Sequence, residues 1–493
     1  MNGQLSVPLP ADQLLKEGMA ASARGELEKA LSLLGAAAAQ ISDNANLFNE
    51  LGVCCYRLGR VGEAKLWFQK AVARQPDFVR ALTNLGACYN EEKDNPNAIA
   101  CYRKALKLQP EMVDAWGNLA KAWTESEEFE MAVYAYNRVI ELNPKGEFYR
   151  GLAKAYRESG RYNRSEAALK VAIDKAPNDH DAHFGMAYTC FHLEKYAEAV
   201  QEFEWRWLTK DMVKHRNDLH PIFTAPAYAG QDLSDKTLLL HTEQGFGDNL
   251  QFARFIALVK PRVKRLVMWT RPGLGKLFEH SFGLDEVSEN VFKLPAFDYQ
   301  LPLLSIPYHF DPELKTLEDY QPYLSAPPDH RPALPLARDK LNVGLVWGAS
   351  DSGFDHANKK VPLANLLPWF DIEGIQWCSL QVGSDHSDLA EHGGGLPLAD
   401  LAPQLKNFAD TAAVVDQLDL VISVDTSVAH LVGAMGKPLW VMLKKNPDWR
   451  WHADGPETLW YPSARLYRQD SHGDWSSVIR RVGRDLNRLV KQR

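Results

Sequence analysis

The sequence predicts an α-helical repeat solenoid followed by an α/β region with two parallel-sheet halves. Three observations support this fold class. A pattern of small and aromatic residues recurs about every 34 residues in the first part of the chain. After about residue 230, short apolar runs alternate with amphipathic segments, as they do in strand–helix units. A Pro-rich stretch then separates two such series, which indicates a hinge between two halves.

Composition limits the class of protein. At 493 residues, 45% hydrophobic and 24% charged, the chain matches several ordinary globular domains. A formal net charge of -7 gives no basic field, which argues against nucleic acid as a partner. We expect no membrane insertion, because no run of about 18 apolar residues occurs. The N-terminus lacks the pattern of a secretory signal and the six cysteines lack metal-ligand spacing, so we expect a cytoplasmic protein without a metal site.

The repeat array is predicted to span residues 1–207. Its most regular copies preserve residue type at six positions, from Leu51, Gly52, Ala64, Phe68, Ala71 and Pro76 to Leu85, Gly86, Ala98, Tyr102, Ala105 and Pro110. Two further copies and weaker flanking ones give about six repeats. Each copy resembles the tetratricopeptide repeat, a helical hairpin in which a small residue lets the helices approach, an aromatic residue fills the gap, and Pro ends the second helix.

A stack of such hairpins forms a concave groove, and polar residues on the first helices are candidates to line it. Asn49, Asn84 and Asn118 recur at about the repeat spacing. Because asparagine has poor helix propensity, we expect these side chains to bind the backbone of an extended protein segment. The alternative is an ordinary solvated helix face.

The α/β region is predicted to begin after a linker at residues 208–234. The first half, residues 235–325, contains strands at 237–241 and 266–269 with a helix at 249–259 between them. A Pro-rich hinge at 326–340 precedes the second half, residues 341–493, with strands at 343–347, 376–380, 420–423 and 439–443 and a closing helix at 475–490.

Ligands of parallel sheets collect beyond the carboxyl ends of the strands, so the loops that follow the strands are candidate sites. The strongest candidate is Ser423-Val424-Asp425-Thr426-Ser427-Val428-Ala429-His430, where a strand ends and a helix starts. Free N–H groups at such a helix start can hold a phosphate. A structural alternative is that Asp425, Thr426 or Ser427 only caps the helix.

Four segments carry a further resemblance: HTEQGFGDNLQFARF, DTAAVVDQLDLVISVDTSVAHLVGAMGKPLWVML, NPDWRWH and WYPSARLYRQ. They resemble the glycosyltransferase domain of bacterial tetratricopeptide-repeat proteins, which are relatives of the ADP-heptose heptosyltransferases and of the protein O-GlcNAc transferases. The resemblance covers roughly residues 235–470. It implies a GT-B fold of two Rossmann-like halves, with the acceptor on the first half, a nucleotide-sugar donor on the second, and no essential metal or cofactor.

The resemblance also suggests roles for particular residues. Asp248 corresponds to the Asp of the heptosyltransferase Gly-Asp motif and is the candidate catalytic base; the alternative is that it caps the following helix. The residues expected on the donor side are Gly245, Gly247, Lys359, Lys360, Gln381, Asp425, Thr426, Ser427, His430, Trp449 and Arg450. Lys359 and Lys360 stand where relatives often have Arg then Ser, and a pair of surface lysines is the alternative. A packed histidine and a core tryptophan are the alternatives for His430 and Trp449.

The leading functional hypothesis is a protein O-glycosyltransferase whose repeats recruit the acceptor. Bacterial relatives with this layout include flagellin-modifying enzymes, so the resemblance suggests flagellin as an acceptor. A lipid or polysaccharide glycosyltransferase is the first alternative, although a lipid acceptor does not need a peptide groove. The second is a scaffold whose glycosyltransferase domain has lost its activity.

Overall fold

The computed structural model describes residues 9–210, 212–214, 223, 225–349, 356–391 and 395–492. Within them the chain divides into two compact units, residues 1–185 and 186–493. The first unit is helical, and the second contains two parallel sheets. Each unit has its own buried apolar core.

Consecutive helices of similar length form hairpins in the repeat array. The helices are α1 Ala11–Ala23, α2 Leu27–Gln40, α3 Ala45–Arg57, α4 Val61–Arg74, α5 Val79–Glu91, α6 Asn95–Leu108, α7 Val113–Glu125, α8 Phe129–Leu142, α9 Gly146–Glu158, α10 Tyr162–Lys175, α11 His180–His192 and α12 Tyr196–Phe203. These twelve helices make the six hairpins that the period predicts.

The recurring residues pack between the two helices of each hairpin. A Cβ atom added to Gly52 would lie 2.5 Å from the Phe68 ring, and one added to Gly86 would lie 2.6 Å from the Tyr102 ring. The glycine is therefore needed because the aromatic ring of the second helix lies directly against the backbone of the first. The recurring alanines are fully buried, Ala64 and Ala71 in one repeat and Ala98 and Ala105 in the next.

The boundary between the compact units lies inside α11, although the predicted repeat array continues to residue 207. The end of α11, all of α12 and a 3₁₀ helix at Glu204–Leu208 belong to the second compact unit. The reason is that Phe191 stacks on Trp449 at a centroid distance of 4.1 Å, and Arg206 is buried against Glu243. The last hairpin keeps the repeat sequence but packs with the α/β region.

The first parallel sheet has strands β1 Thr237–His241, β2 Arg265–Trp269, β3 Glu286–Ser288 and β4 Tyr299–Pro302, in the order β3-β2-β1-β4. Its helices are α13 Phe246–Phe252, α14 Ile256–Val259, α15 Gly275–Phe282 and α16 Ile306–Phe310. The helix after β1 thus begins three residues before the predicted start at 249, and a short 3₁₀ segment interrupts it at Ala253–Phe255.

The second parallel sheet has strands β5 Leu341–Val346, β6 Ile375–Ser379, β7 Leu398–Asp400, β8 Leu420–Val424, β9 Leu439–Leu443 and β10 Ala464–Arg468, in the order β10-β9-β8-β5-β6-β7. Counted within this sheet, the order is 3-2-1-4-5-6, which is typical of doubly wound nucleotide-binding folds. Its helices are α17 His356–Lys359, α18 Leu363–Leu366, α19 Asp388–Glu391, α20 Phe408–Val415, α21 Ser427–Ala434 and α22 Ser476–Gln492.

The closing helix α22 packs on the second sheet. Val478, Val482 and Leu486 join the buried core that includes Trp369 and Trp377. The indole Nε1–H of Trp369 also donates to the carbonyl of Ile479, at 3.1 Å. The helix therefore belongs to the core of this sheet.

The strands that the sequence did not predict are the edges of the two sheets. β3 and β4 are the two edge strands of the first sheet, and β7 and β10 are the two edge strands of the second. Edge strands pack on fewer neighbours, and their side chains are more exposed, as in β3 and β7. Their apolar pattern is therefore weaker than that of the interior strands.

The predicted linker at 208–234 lies partly outside the described residues. Within this segment, Ala227 forms a parallel β-bridge with Gln300 of β4, so this part of the linker is attached to the first sheet. The predicted hinge at 326–340 holds a 3₁₀ turn at Pro328–His330, and the Nδ1 atom of His330 lies 2.9 Å from a carboxylate oxygen of Asp410 in α20. Among the helices described, none is long and apolar enough to cross a membrane.

Candidate functional site

The loop after β1 presents a carboxylate at the start of α13. Asp248 is the third residue of this helix, and its Oδ2 atom accepts a hydrogen bond from the backbone N–H of Gly245 at 2.9 Å. Its other oxygen, Oδ1, is ion-paired with Arg450. The side chain of Asp248 therefore stabilises the first turn of its helix and also contacts the second sheet's loop.

Arg450 connects the two halves of the α/β region. Its guanidinium donates to Asp248 and to the side-chain oxygen of Gln251, both in α13, and to Asp448 at 2.7 Å. Burial opposes its charged form, but Asp448 and Asp248 outweigh burial and keep the pKa of Arg450 above its ordinary value. Predicted as a donor-side residue, Arg450 is a buried cation held by two carboxylates.

Asp425 is the centre of a second buried network, at the carboxyl end of β8. Its Oδ2 atom lies 2.7 Å from the Lys359 ammonium, and its Oδ1 atom accepts from the indole of Trp451 at 2.8 Å. Burial alone would raise its pKa, but Lys359 and His430 lower it below the ordinary range. Asp425 therefore remains ionised.

His430 lies in the first turn of α21, facing the loop after β1. Its Nδ1 atom is 2.9 Å from the hydroxyl of Tyr461, and its ring stacks on Trp451 with centroids 5.2 Å apart. A Cβ atom on Gly247 would lie 2.7 Å from His430, so a glycine is required where the two helix starts meet. Burial is the main reason that the pKa of His430 falls to about 4.

The start of α21 offers backbone N–H groups beside these side chains. Thr426 precedes the helix in extended conformation, and its hydroxyl lies 3.1 Å from that of Ser423. The N–H of His430 bonds to the carbonyl of Thr426 at 3.3 Å, so Ser427 and the two residues after it precede the first intrahelical bond. This part of the predicted site has the geometry that anion binding needs.

Two other predicted donor-side residues are held by protein partners. The ammonium of Lys360 lies 2.6 Å from Asp385 and 3.0 Å from Asp388. The side-chain oxygen of Gln381 accepts the N–H groups of Trp347 and Gly348 at 3.0 and 2.9 Å. Gln381 thus ties the end of β6 to the loop after β5, and Lys359, not Lys360, contacts the Asp425 network.

Trp449 is a core residue. It is almost fully buried, it stacks on Phe191, and it contacts the edge of Trp460 at 5.4 Å. The guanidinium of Arg450 lies 4.2 Å from its ring centroid. Trp449 is therefore a buried residue that packs against the guanidinium of Arg450, which agrees with the core-packing alternative.

Tyr461 and Arg206 are part of the site's surroundings, although sequence reasoning did not assign either a functional role. Tyr461 contacts His430 from a loop 31 residues further along the chain. Arg206 is fully buried with Glu243, which it binds through two hydrogen bonds of 2.6 and 2.9 Å, and it also donates to Ser305 at 2.7 Å. Glu243 and Ser305 follow β1 and β4, neighbouring strands where the strand order of the first sheet reverses. The signal in the sequence that could have identified this pair is Glu243, an acidic residue two positions after the apolar strand β1.

The three predicted groove asparagines have different environments. Asn49 is buried, and its side-chain oxygen accepts from Asn84 at 3.0 Å, a residue 35 positions later in the chain. Asn49 therefore departs by one residue from the 34-residue spacing between Asn84 and Asn118. Its side-chain amide forms a hydrogen bond between neighbouring repeats. Asn84 and Asn118 are only half-buried.

Among the described residues, no group of three or more His, Cys, Asp or Glu side chains is arranged to hold a metal ion. None of the six cysteines, all of which lie in the described part of the chain, forms a disulfide, and five of them are buried. The pKa of Cys88 is raised to about 12 and that of Cys378 to about 11, mainly by burial, so both stay as thiols.

The tetratricopeptide repeat family matches residues 79–112 and, by a second description of the same repeat, residues 15–77 and 150–211. The chain therefore consists of a tetratricopeptide-repeat solenoid followed by a region with parallel sheets. Tetratricopeptide repeats imply a protein-binding role.

Protein FlbA from Caulobacter vibrioides is 27% identical to this chain over 297 residues, which are 54% of this chain and 49% of that protein. The chain thus spans about half the length of the curated relative it matches. Among solved structures, a tetratricopeptide repeat protein from Parabacteroides merdae is 23% identical, with a TM-score of 0.36 over 39% of this chain and 77% of its own. A thermophilic tetratricopeptide-repeat protein from Thermus thermophilus is 20% identical, with a TM-score of 0.31 over 36% of this chain and 98% of its own.

Proposed function

We propose that this chain is a protein O-glycosyltransferase of GT-B type, which transfers a sugar from a nucleotide-sugar donor to a hydroxyl of a protein held by the repeats. The observation that carries the proposal is the meeting of polar networks at the carboxyl ends of both parallel sheets. Asp248 follows β1, Asp425 follows β8, and Arg450 and His430 bring the two loops together. Ligands of parallel sheets bind at this edge.

The donor is assigned to the second sheet. β5 and β8 are the neighbouring strands at which the strand order reverses, and this is where doubly wound folds bind nucleotides. The start of α21 supplies N–H groups for a diphosphate, and Lys359 supplies a cation next to Asp425. Asp425 is suited to bind a ribose or sugar hydroxyl because its carboxylate stays ionised.

Asp248 remains the candidate base for the acceptor hydroxyl, with one condition from its contacts. Both of its carboxylate oxygens are engaged, Oδ2 by the backbone N–H of Gly245 and Oδ1 by the guanidinium of Arg450. Oδ1 can contact an acceptor hydroxyl only if Arg450 turns away, for example towards the phosphates of a bound donor. Donor binding would then activate the base.

The acceptor is assigned to the repeat array, whose repeats indicate protein binding. Asn84 and Asn118 are the predicted groove residues that remain partly accessible. We propose flagellin as the first acceptor to test, because the bacterial relatives that the resemblance implies for this layout include flagellin-modifying enzymes. A lipid acceptor is a weaker alternative, since it would leave the peptide groove without a role.

A non-catalytic scaffold is the second candidate function. The specific observation in its favour is that both carboxylate oxygens of Asp248 are already engaged within the protein. In a scaffold the Arg450 pair would simply hold the two sheets together.

The test combines donor binding with transfer. Nucleotides and nucleotide-sugars are screened by thermal shift, since a ligand of the native state raises its stability. Transfer to flagellin is then followed by mass spectrometry for wild type, Asp248→Asn and the exposed control Asp235→Asn. Loss of a base predicts transfer about 10²- to 10⁴-fold slower in Asp248→Asn alone. Donor binding without any mass increase of flagellin in wild type would favour the scaffold or another acceptor.

A further inference from the structure

The loop that follows β9 turns sharply at His452, directly after the 3₁₀ turn Trp449–Trp451 that contains Arg450. The backbone of His452 has a φ of 57°, in the left-handed region that residues other than glycine rarely adopt. Such a conformation persists only where the surrounding contacts hold it. The contacts of His452 therefore decide how the chain leaves Arg450.

Two contacts of the imidazole ring determine which nitrogen carries its hydrogen. Nε2 of His452 accepts a hydrogen bond from the backbone N–H of Leu459, with 3.0 Å between the two nitrogens. A backbone N–H can only donate, so Nε2 has no hydrogen and the neutral ring carries its hydrogen on Nδ1. Nδ1 lies 3.1 Å from Oε1 of Glu194, an oxygen that can accept this hydrogen. The ring thus lies between a donor on one side and an acceptor on the other.

His452 and Leu459 are the two ends of a loop that is attached beside Arg450. The hydroxyl of Thr458 in this loop donates to the carbonyl of Arg450 at 2.8 Å. The guanidinium of Arg468 in β10 donates to the carbonyls of the two residues that follow Arg450. Three consecutive carbonyls are therefore hydrogen-bonded, and the bond between His452 and Leu459 closes the loop that supplies one of the donors.

Glu194 occupies the position at which each hairpin of the array turns. The six residues at this position have positive φ and follow one another at intervals of 33 or 34 residues: Gly25, Gly59, Lys93, Glu127, Gly160 and Glu194. Glycine adopts this conformation without a steric cost, which explains why three of the six are glycines. Glu194, with a φ of 57°, instead places a carboxylate against His452. The turn of the last hairpin thus makes a contact through a side chain that the turn itself does not require.

The last hairpin contacts the chain on both sides of Arg450. Phe191 stacks on Trp449 with ring centroids 4.1 Å apart, and Glu194 lies against His452. Trp449 precedes Arg450 by one residue, and His452 follows it by two. These two contacts hold the short segment from which the guanidinium of Arg450 extends.

We propose that His452 and Glu194 are positioning residues for Arg450. The hydrogen on Nδ1 is directed to Glu194 and the lone pair of Nε2 holds Leu459, so the loop presents the guanidinium of Arg450 to Asp248. Both residues act through Arg450 and not by contact with a ligand. The inference rests on the proposed function for the donor phosphates as a second partner of Arg450, whereas the state of the ring does not.

The charged groups around His452 keep its ring neutral at neutral pH. Burial lowers the pKa of His452 below its ordinary value, Glu194 of the last hairpin opposes this, and Arg468 of β10 lowers the pKa further. When the ring is protonated below this pKa, Nε2 carries a hydrogen and can no longer accept from Leu459. The loop should therefore loosen as the pH falls.

The state of the ring is measured by ¹⁵N spectroscopy of the full chain labelled at histidine. The His452 signals are assigned from their absence in His452→Asn, because asparagine tolerates positive φ. At neutral pH we expect a hydrogen on Nδ1 and none on Nε2. A hydrogen on Nε2, whether the ring is neutral or charged, would overturn the inference.

Positioning is measured by hydrogen–deuterium exchange of residues 450–459 in the full chain. Glu194→Gly removes the carboxylate but suits the positive φ, so the hairpin turn should stay folded. We expect exchange in this segment to become roughly 2- to 10-fold faster, the change that one lost hydrogen bond gives. Glu194→Gln should behave like wild type, because its side-chain oxygen can still accept from Nδ1.

Glu127→Gly is the matched control. It makes the same change at the same turn position of the fourth hairpin, so exchange of residues 450–459 should stay at the wild-type rate. Unchanged exchange in Glu194→Gly, or equal acceleration in Glu127→Gly, would overturn the positioning role. Acceleration in Glu194→Gln would overturn the assignment of Glu194 as the acceptor for Nδ1.

Binding of pyrophosphate and of UDP, measured by calorimetry, tests whether the position of Arg450 matters for the donor. We expect Glu194→Gly to raise the Kd roughly 2- to 10-fold, again the effect of one hydrogen bond, and Glu127→Gly to leave it unchanged. An equal Kd in wild type and Glu194→Gly would overturn the link to donor binding. If wild type binds neither probe while exchange responds as expected, the proposed donor site fails and the positioning of Arg450 stands.

Discussion

A buried neutral histidine makes stability depend on pH in a definite direction. The pKa of His430 falls from an ordinary value of 6.5 to about 4 in the folded chain, mainly through burial. Between these values the unfolded chain binds a proton that the folded chain does not, so stability falls as the pH is lowered through this window. Below about pH 4 both states are protonated, and His430 adds no further loss.

Removing this histidine is therefore expected to flatten the stability profile between about pH 6.5 and pH 4. His430→Gln should recover up to roughly 3 kcal/mol of the acid-induced loss, relative to its own stability at pH 7. Urea unfolding across this range measures the effect, with the exposed residue His280 changed to Gln as the control. His309 and His452, whose pKa values are also lowered by burial, titrate in both proteins and cancel in the difference. Parallel profiles for wild type and His430→Gln would rule out the neutral ring.

At the scale of the helical hairpin, glycine is required only where an aromatic ring meets the backbone. A Cβ atom on Gly86 would lie 2.6 Å from the ring of Tyr102, whereas one on Gly62 would meet nothing within 4 Å. Gly86→Ala should destabilise the array by about 1 to 3 kcal/mol through overpacking. Gly62→Ala should leave it unchanged or stabilise it by up to about 1 kcal/mol, because alanine is the better helix former. Thermal unfolding of the two variants makes the comparison, and equal effects would contradict the packing argument.

The element that joins the last hairpin to the first sheet is the buried pair of Arg206 and Glu243, both 0% exposed. Removing one partner leaves an unpaired buried charge, so Arg206→Leu should cost roughly 3 to 5 kcal/mol. Replacing both with leucine should recover much of this loss, since an apolar pair removes the desolvation cost. Denaturant unfolding of the single and double variants tests this. A double variant less stable than Arg206→Leu would mean that other groups, such as Ser305, depend on the pair.

At the scale of the whole chain, the division between the units predicts which fragment folds. Helices α1 to α10 lie wholly in the first unit, so a fragment of residues 1–179 should be helical, monomeric and cooperatively unfolding. A fragment of residues 1–207 adds Phe191 and Phe203, which the complete chain buries in the second unit. We expect this longer fragment to self-associate in sedimentation experiments. A monomeric 1–207 beside an unfolded 1–179 would place the boundary at the predicted position instead.

The sequence by itself determined the features that depend on near neighbours along the chain. The repeat period follows from one buried small residue and one large apolar or aromatic residue in each hairpin. The six interior strands follow from their continuous apolar runs. The edge strands β3, β4, β7 and β10 were not predicted, because none of them is buried along its whole length and the apolar pattern of each is weak. Gly247, Asp425 and His430 could be placed just after the carboxyl ends of strands because strand ends are local signals.

Only the tertiary structure decided which of these groups meet. Asp248 and Arg450 are 202 residues apart, and Arg206 and Glu243 are 37 apart in what the sequence predicts to be two domains. His430 and the hydroxyl of Tyr461, 31 residues further along the chain, meet at 2.9 Å. Such contacts depend on the order of the strands within the sheets and on the free-energy cost of burying a polar group without a partner. Neither the strand order nor the burial of a polar group produces a periodic pattern along the sequence.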